Sequence, residues 1–372
     1  MSFRKTAYAT VALSLAALAS SGFARAADLP VKAAKPVKDL PFFLVIDDRV
    51  TFSYIFTGTD PGAFSTKPSG AFEGKTAKQV YSFTHFDIWG YGTNFFTISM
   101  FKSDHNDPAS PCTNVGALAN GVVTSNANCA GATEIYGLFR STYGWNEIFG
   151  TKAFSMGPLH NISFEIGADA NSENTFLAPA KRDVVAGLQF AFDLPYKGYI
   201  NVAPLAYKEI NHNGFDQCGF FGNNTPGLNC LADGNTRFHT TWAVEINYYM
   251  DLGFLPENMQ YFAISGRAGF YGPKGDENAP LVGVAGVPQF GINSTATKTE
   301  INSEPIRLTF DASKAFLGPK YSQFVTTWVA YRYWQNKFGL DHNAAPGICT
   351  VAGVSTNSCT EQSAYAGITV KF

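Results

Sequence analysis

Beyond its first residues the chain has no apolar run of the roughly 18 residues that a membrane-crossing helix requires, which excludes a helical membrane bundle. Charge of one sign is missing too. Lys and Arg number 27 against 29 Asp and Glu, a formal net charge of −2 that offers nothing to nucleic acid. The six cysteines lack the two-to-four-residue spacing of zinc knuckles, so neither a metal site nor a cofactor is expected. No serine stands close to the His-Asn pairs either. The nearest set, His160-Asn161-Ile162-Ser163, sits at a strand start, so a Ser-His-Asn hydrolase, and with it an enzyme, is not expected.

What the chain does have is aromatics at 15%, 35 glycines and repeated apolar/polar alternation. Side chains in a strand change face at every residue, so alternation means one wet and one apolar face. In the last residues, Phe372, Val370, Ile368 and Ala366 are expected to face lipid, and Lys371, Thr369 and Gly367 the lumen. Phe372 resembles the terminal signal read by the outer-membrane barrel-assembly machinery. At the other end Arg4 and Lys5 precede an apolar stretch from Ala7 to Ala19, and Ala24-Arg25-Ala26 is a small-x-small cleavage site. Residues 1–26 therefore read as a signal peptide, 27–41 as a flexible periplasmic segment and 42–372 as the folded unit.

The fold class expected is all-β: a transmembrane, antiparallel, up-and-down barrel in the bacterial outer membrane, among lipid and lipopolysaccharide. Twelve strands are read near 46–57, 78–90, 94–104, 132–144, 160–172, 181–194, 199–211, 236–250, 260–271, 299–311, 322–335 and 361–372, with ten or fourteen left open. In the eighth, Phe238, Trp242, Val244 and Ile246 form an apolar face, and Arg237, His239, Glu245 and Asn247 the inner one. Short turns such as 90–93 and 195–198 then fall at the periplasmic end, and long loops over about 105–131, 212–235, 272–298 and 336–360 at the outer end.

The cysteines fall as close pairs within those long loops: Cys112 with Cys129, Cys218 with Cys230, Cys349 with Cys359. In an exported chain this predicts three local disulfides. A His-Asn dipeptide also recurs at three strand exits, after Asp104, Asn211 and Asp341, which fits local side-chain bonds to the backbone or an outer-rim histidine site. Faces turned inward carry Arg140, Arg182, Arg237, Arg267, Arg307 and Arg332, with Glu165, Asp183, Glu245, Trp328 and Trp334. Such a lumen is either an open pore or a barrel filled by paired charges.

Three segments carry a family resemblance: Phe83-Thr84-His85-Phe86-Asp87-Ile88-Trp89-Gly90-Tyr91-Gly92, the stretch from Asp183 to Asn213, and Trp328-Val329-Ala330-Tyr331-Arg332-Tyr333-Trp334. They resemble the nucleoside-specific channel-forming family of outer-membrane proteins (Tsx-like). The resemblance implies a twelve-stranded monomeric channel for nucleosides, with bases stacking on aromatics and ionisable groups holding the sugar. Carried over by segment, the candidates are Phe86, Asp87, Trp328, Arg332 and Trp334. A general porin, and a structural or adhesive barrel with disulfide-stapled loops, are the alternatives.

Overall fold

The computed structural model describes residues 42–67, 69–105, 107–108, 116–118, 123–124, 131–174, 180–212, 236–275, 298–344 and 348–372. Twelve long strands run β1 (Phe43–Thr59), β2 (Lys75–Trp89), β3 (Gly92–Ser103), β4 (Thr133–Gly144), β5 (Leu159–Glu173), β6 (Ala180–Leu194), β7 (Gly198–His212), β8 (Thr241–Asp251), β9 (Phe262–Tyr271), β10 (Glu300–Asp311), β11 (Val325–Gln335) and β12 (Thr360–Lys371). Each pairs antiparallel with its sequence neighbours, and β1 closes on β12 from Arg49↔Lys371 to Ile55↔Tyr365. A closed cylinder leaves no strand edge, which is what lipid demands of a β-structure. The leader and tail expected over 1–41 lie outside the described residues.

Alternation sorts the faces as the sequence suggests for most strands. On β12, Ile368 and Val370 are exposed, while Tyr365 and Thr369 are buried inside. Val50 and Phe52 on β1, Ile98 on β3 and Val329 on β11 share the exposed outer face. On β6 the outer face includes Val184 and also Arg182, one residue out of phase with the inward Asp183, so Arg182 does not face the lumen. Pro305 in β10 has no N–H to donate and sits where the pairing to β11 shifts register between Ser303 and Ile306.

Two expectations fail at the strand ends. The eighth strand begins at Thr241, and residues before it leave the alternation. Thr236 and Arg237 pair with the end of β7, His239 N bonds the Lys274 carbonyl at 3.2 Å, and Phe238 is fully buried beneath the Lys274 ammonium. Arg237 is left exposed at the outer rim, so it does not line the lumen. At the other end, three connections are longer than simple turns. α1 (Trp145–Ile148) joins β4 to β5, a 3-10 turn at Glu257–Met259 joins β8 to β9, and α2 (Ala312–Leu317) leads from β10 towards β11. The last is built around Asp311, whose carboxylate caps α2 through Lys314 N at 2.9 Å and also accepts from Ser322 Oγ and Gln323 N, each at 2.7 Å.

The long loops lie at the opposite end, as in outer-membrane barrels generally. Cys349 and Cys359 form a disulfide with Cα atoms 5.4 Å apart. Cys112, Cys129, Cys218 and Cys230 lie outside the described residues. The stapled loop folds down onto the barrel: Ser358 Oγ accepts from Gly62 N at 3.1 Å, and a Cβ on Gly74 would meet the Thr356 carbonyl at 2.7 Å. Of the three His-Asn repeats, the one after Asp341 is fully described. There Asn343 N donates to the Asp341 carboxylate at 3.0 Å, and His342 bonds Asn336 at 2.6 Å, which is the local strand-exit chemistry.

Candidate functional site

The lumen is divided lengthwise into a filled sector and an open one. In the sector of β4 to β9 the alternation turns small and aromatic residues inward, and Val185, Ala203, Leu205, Tyr207, Ala243 and Tyr271 pack as one buried cluster. Arg140 reaches from β4 to β8, four strands around the cylinder. Its guanidinium donates to both Glu245 oxygens at 2.9 and 2.6 Å and to Asp169 at 2.5 Å. A glycine makes this possible, because a Cβ on Gly167 would stand 2.5 Å from Arg140 Cδ. Gln189 holds Glu165 at 2.9 Å beside it. Nearer the outer end, Lys274 and Lys181 sit among Glu209, Asp183 and Glu300, and Lys274 bonds Glu209 directly. A buried carboxylate is costly without a partner, and these two ammonium groups are the partners the sector supplies.

Along β1 to β3 and β10 to β12, and bordered on its far side by residues of β4 to β6 and β9, the interior holds a cavity of about 390 Å³. Its lining runs from Arg49 and Thr369 near the short-turn end to Asp60 and Lys337 at the outer end, and includes Arg267, Arg307, Trp328, Arg332 and Trp334. Trp328 is buried against Ile55, Val80 and Tyr365 and donates to Thr369 Oγ1 at 3.1 Å. The opposing residue on β12 is Gly367, whose missing side chain makes room for the indole.

Both indole faces aimed at by the nucleoside reading are already met by cations. The Arg307 guanidinium lies 3.8 Å from the Trp328 ring centre, and the Lys337 ammonium 4.3 Å from that of Trp334, with Arg332 at 5.2 Å. Trp334 also donates to Glu300 at 2.8 Å. Arg307 pairs with Glu304, and Arg332 and Lys337 both bond Glu361. Lys337 lies in the loop after β11. Burial is the main cause that holds its ammonium below the ordinary lysine range; Glu361 opposes this and Lys78 adds to it. Arg267 is the exception: it lines the cavity without an ion pair among the described residues.

Phe86 and Asp87 part company. The β2 pairings are unbroken from Lys78 to Trp89, so Phe86 shares the inner face of Thr84, while Asp87 shares the outer face of Tyr81. Asp87 is therefore not in the lumen. It belongs to a polar chain on the lipid side that crosses four strands: Asp48 to His85 at 2.7 Å, His85 to Asp87 at 3.2 Å, Asn94 to Asp87 at 2.9 Å, and Ser141 to Asn94 at 2.7 Å. Exposed outer-face charge is costly, and mutual bonding together with 4% exposure of the Asp87 side chain is how this strip is tolerated. Asp87→Ala is expected to leave KCl conductance unchanged in planar bilayers. It should lower stability by about 1–3 kcal/mol, because His85 and Asn94 lose a partner. A fall in conductance would return Asp87 to the pore.

The sequence did not point to Lys337, Glu361, Glu134 or Glu173 as site residues. Glu134 and Glu173 end strands just where loops begin, and Lys337 lies in a loop, so periodicity gives them no face. The His160 and Ser163 considered for hydrolysis lie on opposite faces of β5.

The closed cylinder, its apolar exterior and its charged interior define a bacterial outer-membrane β-barrel protein. No protein-family model and no curated protein sequence matches the chain. Among solved structures it is similar to the translocator domain of the autotransporter NalP from Neisseria meningitidis, with 10% identity, 88% of each chain covered and a TM-score of 0.35. It is also similar to an outer-membrane channel from Pseudomonas putida F1, with 10% identity over 90% of this chain and 97% of that one and a TM-score of 0.41. The P. putida toluene transporter TodX matches at 8% identity over 87% and 89%, with a TM-score of 0.33. Scores this low relate one barrel to others in general, and nothing about solute follows from them.

Proposed function

We propose that the protein is a passive channel for small hydrophilic solutes across the outer membrane. The observation that supports this is the lengthwise cavity of about 390 Å³, whose walls alternate ion pairs with Ser and Thr hydroxyls such as Ser82, Thr84 and Thr97. A structural barrel has no use for an open sector, whereas a solute that gives up its hydration needs these polar partners. Nucleosides are the second reading, supported by the rings of Phe95, Phe101 and Tyr136 in the lining. Stacking on Trp328 or Trp334 would require a base to displace Arg307, or Lys337 and Arg332, from the ring.

Planar-bilayer recording of the refolded protein tests both readings. Steady conductance in KCl is expected, and no conductance would overturn the channel. A current reduced by adenosine or thymidine selects the nucleoside reading; a current indifferent to both leaves the general channel.

A further inference from the structure

The outer mouth of the cavity carries a concentration of carboxyl groups that the described residues do not fully answer. Glu134 and Glu173 are direct cross-strand partners on β4 and β5, both turned towards the cavity. Like charges placed directly opposite destabilise a sheet, so this pairing calls for a counter-charge. Asp60, from the loop after β1, joins them. Lys78 stands among the three, 2.7 Å from Asp60 Oδ1 and 3.6 Å from Glu134 Oε2. Lys337 and Arg332 across the mouth are held by Glu361. Among the described residues the mouth holds five carboxyl groups, Asp60, Asp107, Glu134, Glu173 and Glu361, and three cations, Lys78, Arg332 and Lys337.

The shortfall has an address. Glu173 is 7% exposed, and among the described residues its Oε1 has no hydrogen-bond partner; neither has the second oxygen of Asp60. A carboxylate oxygen this buried costs free energy unless a cation or donor meets it. Among the described residues no three His, Cys, Asp or Glu side chains are arranged to hold a metal ion. The group that already fits here is an ammonium, that of Lys78.

We propose that the Glu173–Glu134–Asp60 cluster at the outer mouth is a recognition site for an organic ammonium group, so that the channel's preferred solutes carry a primary amine. This rests on the channel reading above. A solute ammonium entering from the outer end would displace the covering side chains and take the unpaired oxygens of Glu173 and Asp60 beside Lys78. The remainder of the molecule would lie in the cavity, towards Arg267.

The test is block of the KCl current by n-butylammonium added to the long-loop side, with n-butanol as the uncharged match. Wild-type protein should be blocked by the amine and not by the alcohol. Glu173→Gln should need at least tenfold more amine, and Glu134→Gln should weaken block independently. Equal block by alcohol and amine, or unchanged block in both variants, overturns the ammonium site while leaving the channel intact. Absence of any KCl current overturns the channel, and this proposal with it.

Discussion

Arg140→Met is expected to cost the barrel about 3–5 kcal/mol, the usual penalty for removing one partner from a buried ion network. Arg140 joins β4 to both β5 and β8 through Asp169 and Glu245, and its own side chain is 10% exposed. Without it, Asp169 and Glu245 face each other across the lumen with no guanidinium between them, and Glu165 loses a cation 3.9 Å away. Methionine keeps much of the bulk, so the loss is electrostatic. Guanidinium unfolding in detergent, followed by tryptophan fluorescence, reads it, and a loss below about 1 kcal/mol would mean the network tolerates the gap. Single-channel conductance should also rise, because the brace that fills the β4–β9 sector is gone.

Glu361→Ala is expected to be of similar size for a different reason. Its carboxylate is 2% exposed and receives Arg332, Lys337 and the Thr59 N–H, the last two at 2.6 and 3.0 Å. Removing it leaves two buried cations facing each other, again about 3–5 kcal/mol. The outer loop should loosen with it, since Lys337 N bonds the Cys359 carbonyl at the base of the disulfide. Faster proteolysis within residues 348–358, with the disulfide intact, is the accompanying signature. An unchanged cleavage rate and an unchanged unfolding midpoint would show that Lys337 and Arg332 find other partners.

How much of this the sequence reveals depends on whether a residue sits inside a strand or at its edge. Twelve strands are legible because each must repeat one outer apolar face over most of its length, as lipid requires. Inside strands Arg140, Glu245, Arg267, Trp328 and Arg332 come to the inner face, whereas Arg182, one residue from the inward Asp183, comes to the outer one. Phase fails where another contact outranks it. Phe238 leaves the alternation because Lys274 covers it, and Arg237 follows. Asp87 misleads for another reason. A charged residue in a lipid-facing position looks like an inward one, and only its neighbours on three other strands make the outward position tolerable. Which charges pair, and which one is left over, depends on contacts such as Lys78 to Asp60, where a strand meets a loop that no periodicity describes.

The strip from Asp48 to Ser141 also makes the cylinder unequal around its girth. Strands rise about 3.3 Å per residue, so a polar chain set a few residues in from the short-turn end shortens the hydrocarbon-matching height over β1 to β4. A bilayer meets such a mismatch by thinning beside the short sector or by letting the barrel lean. The molecule thereby acquires a front and a back within the plane of the membrane.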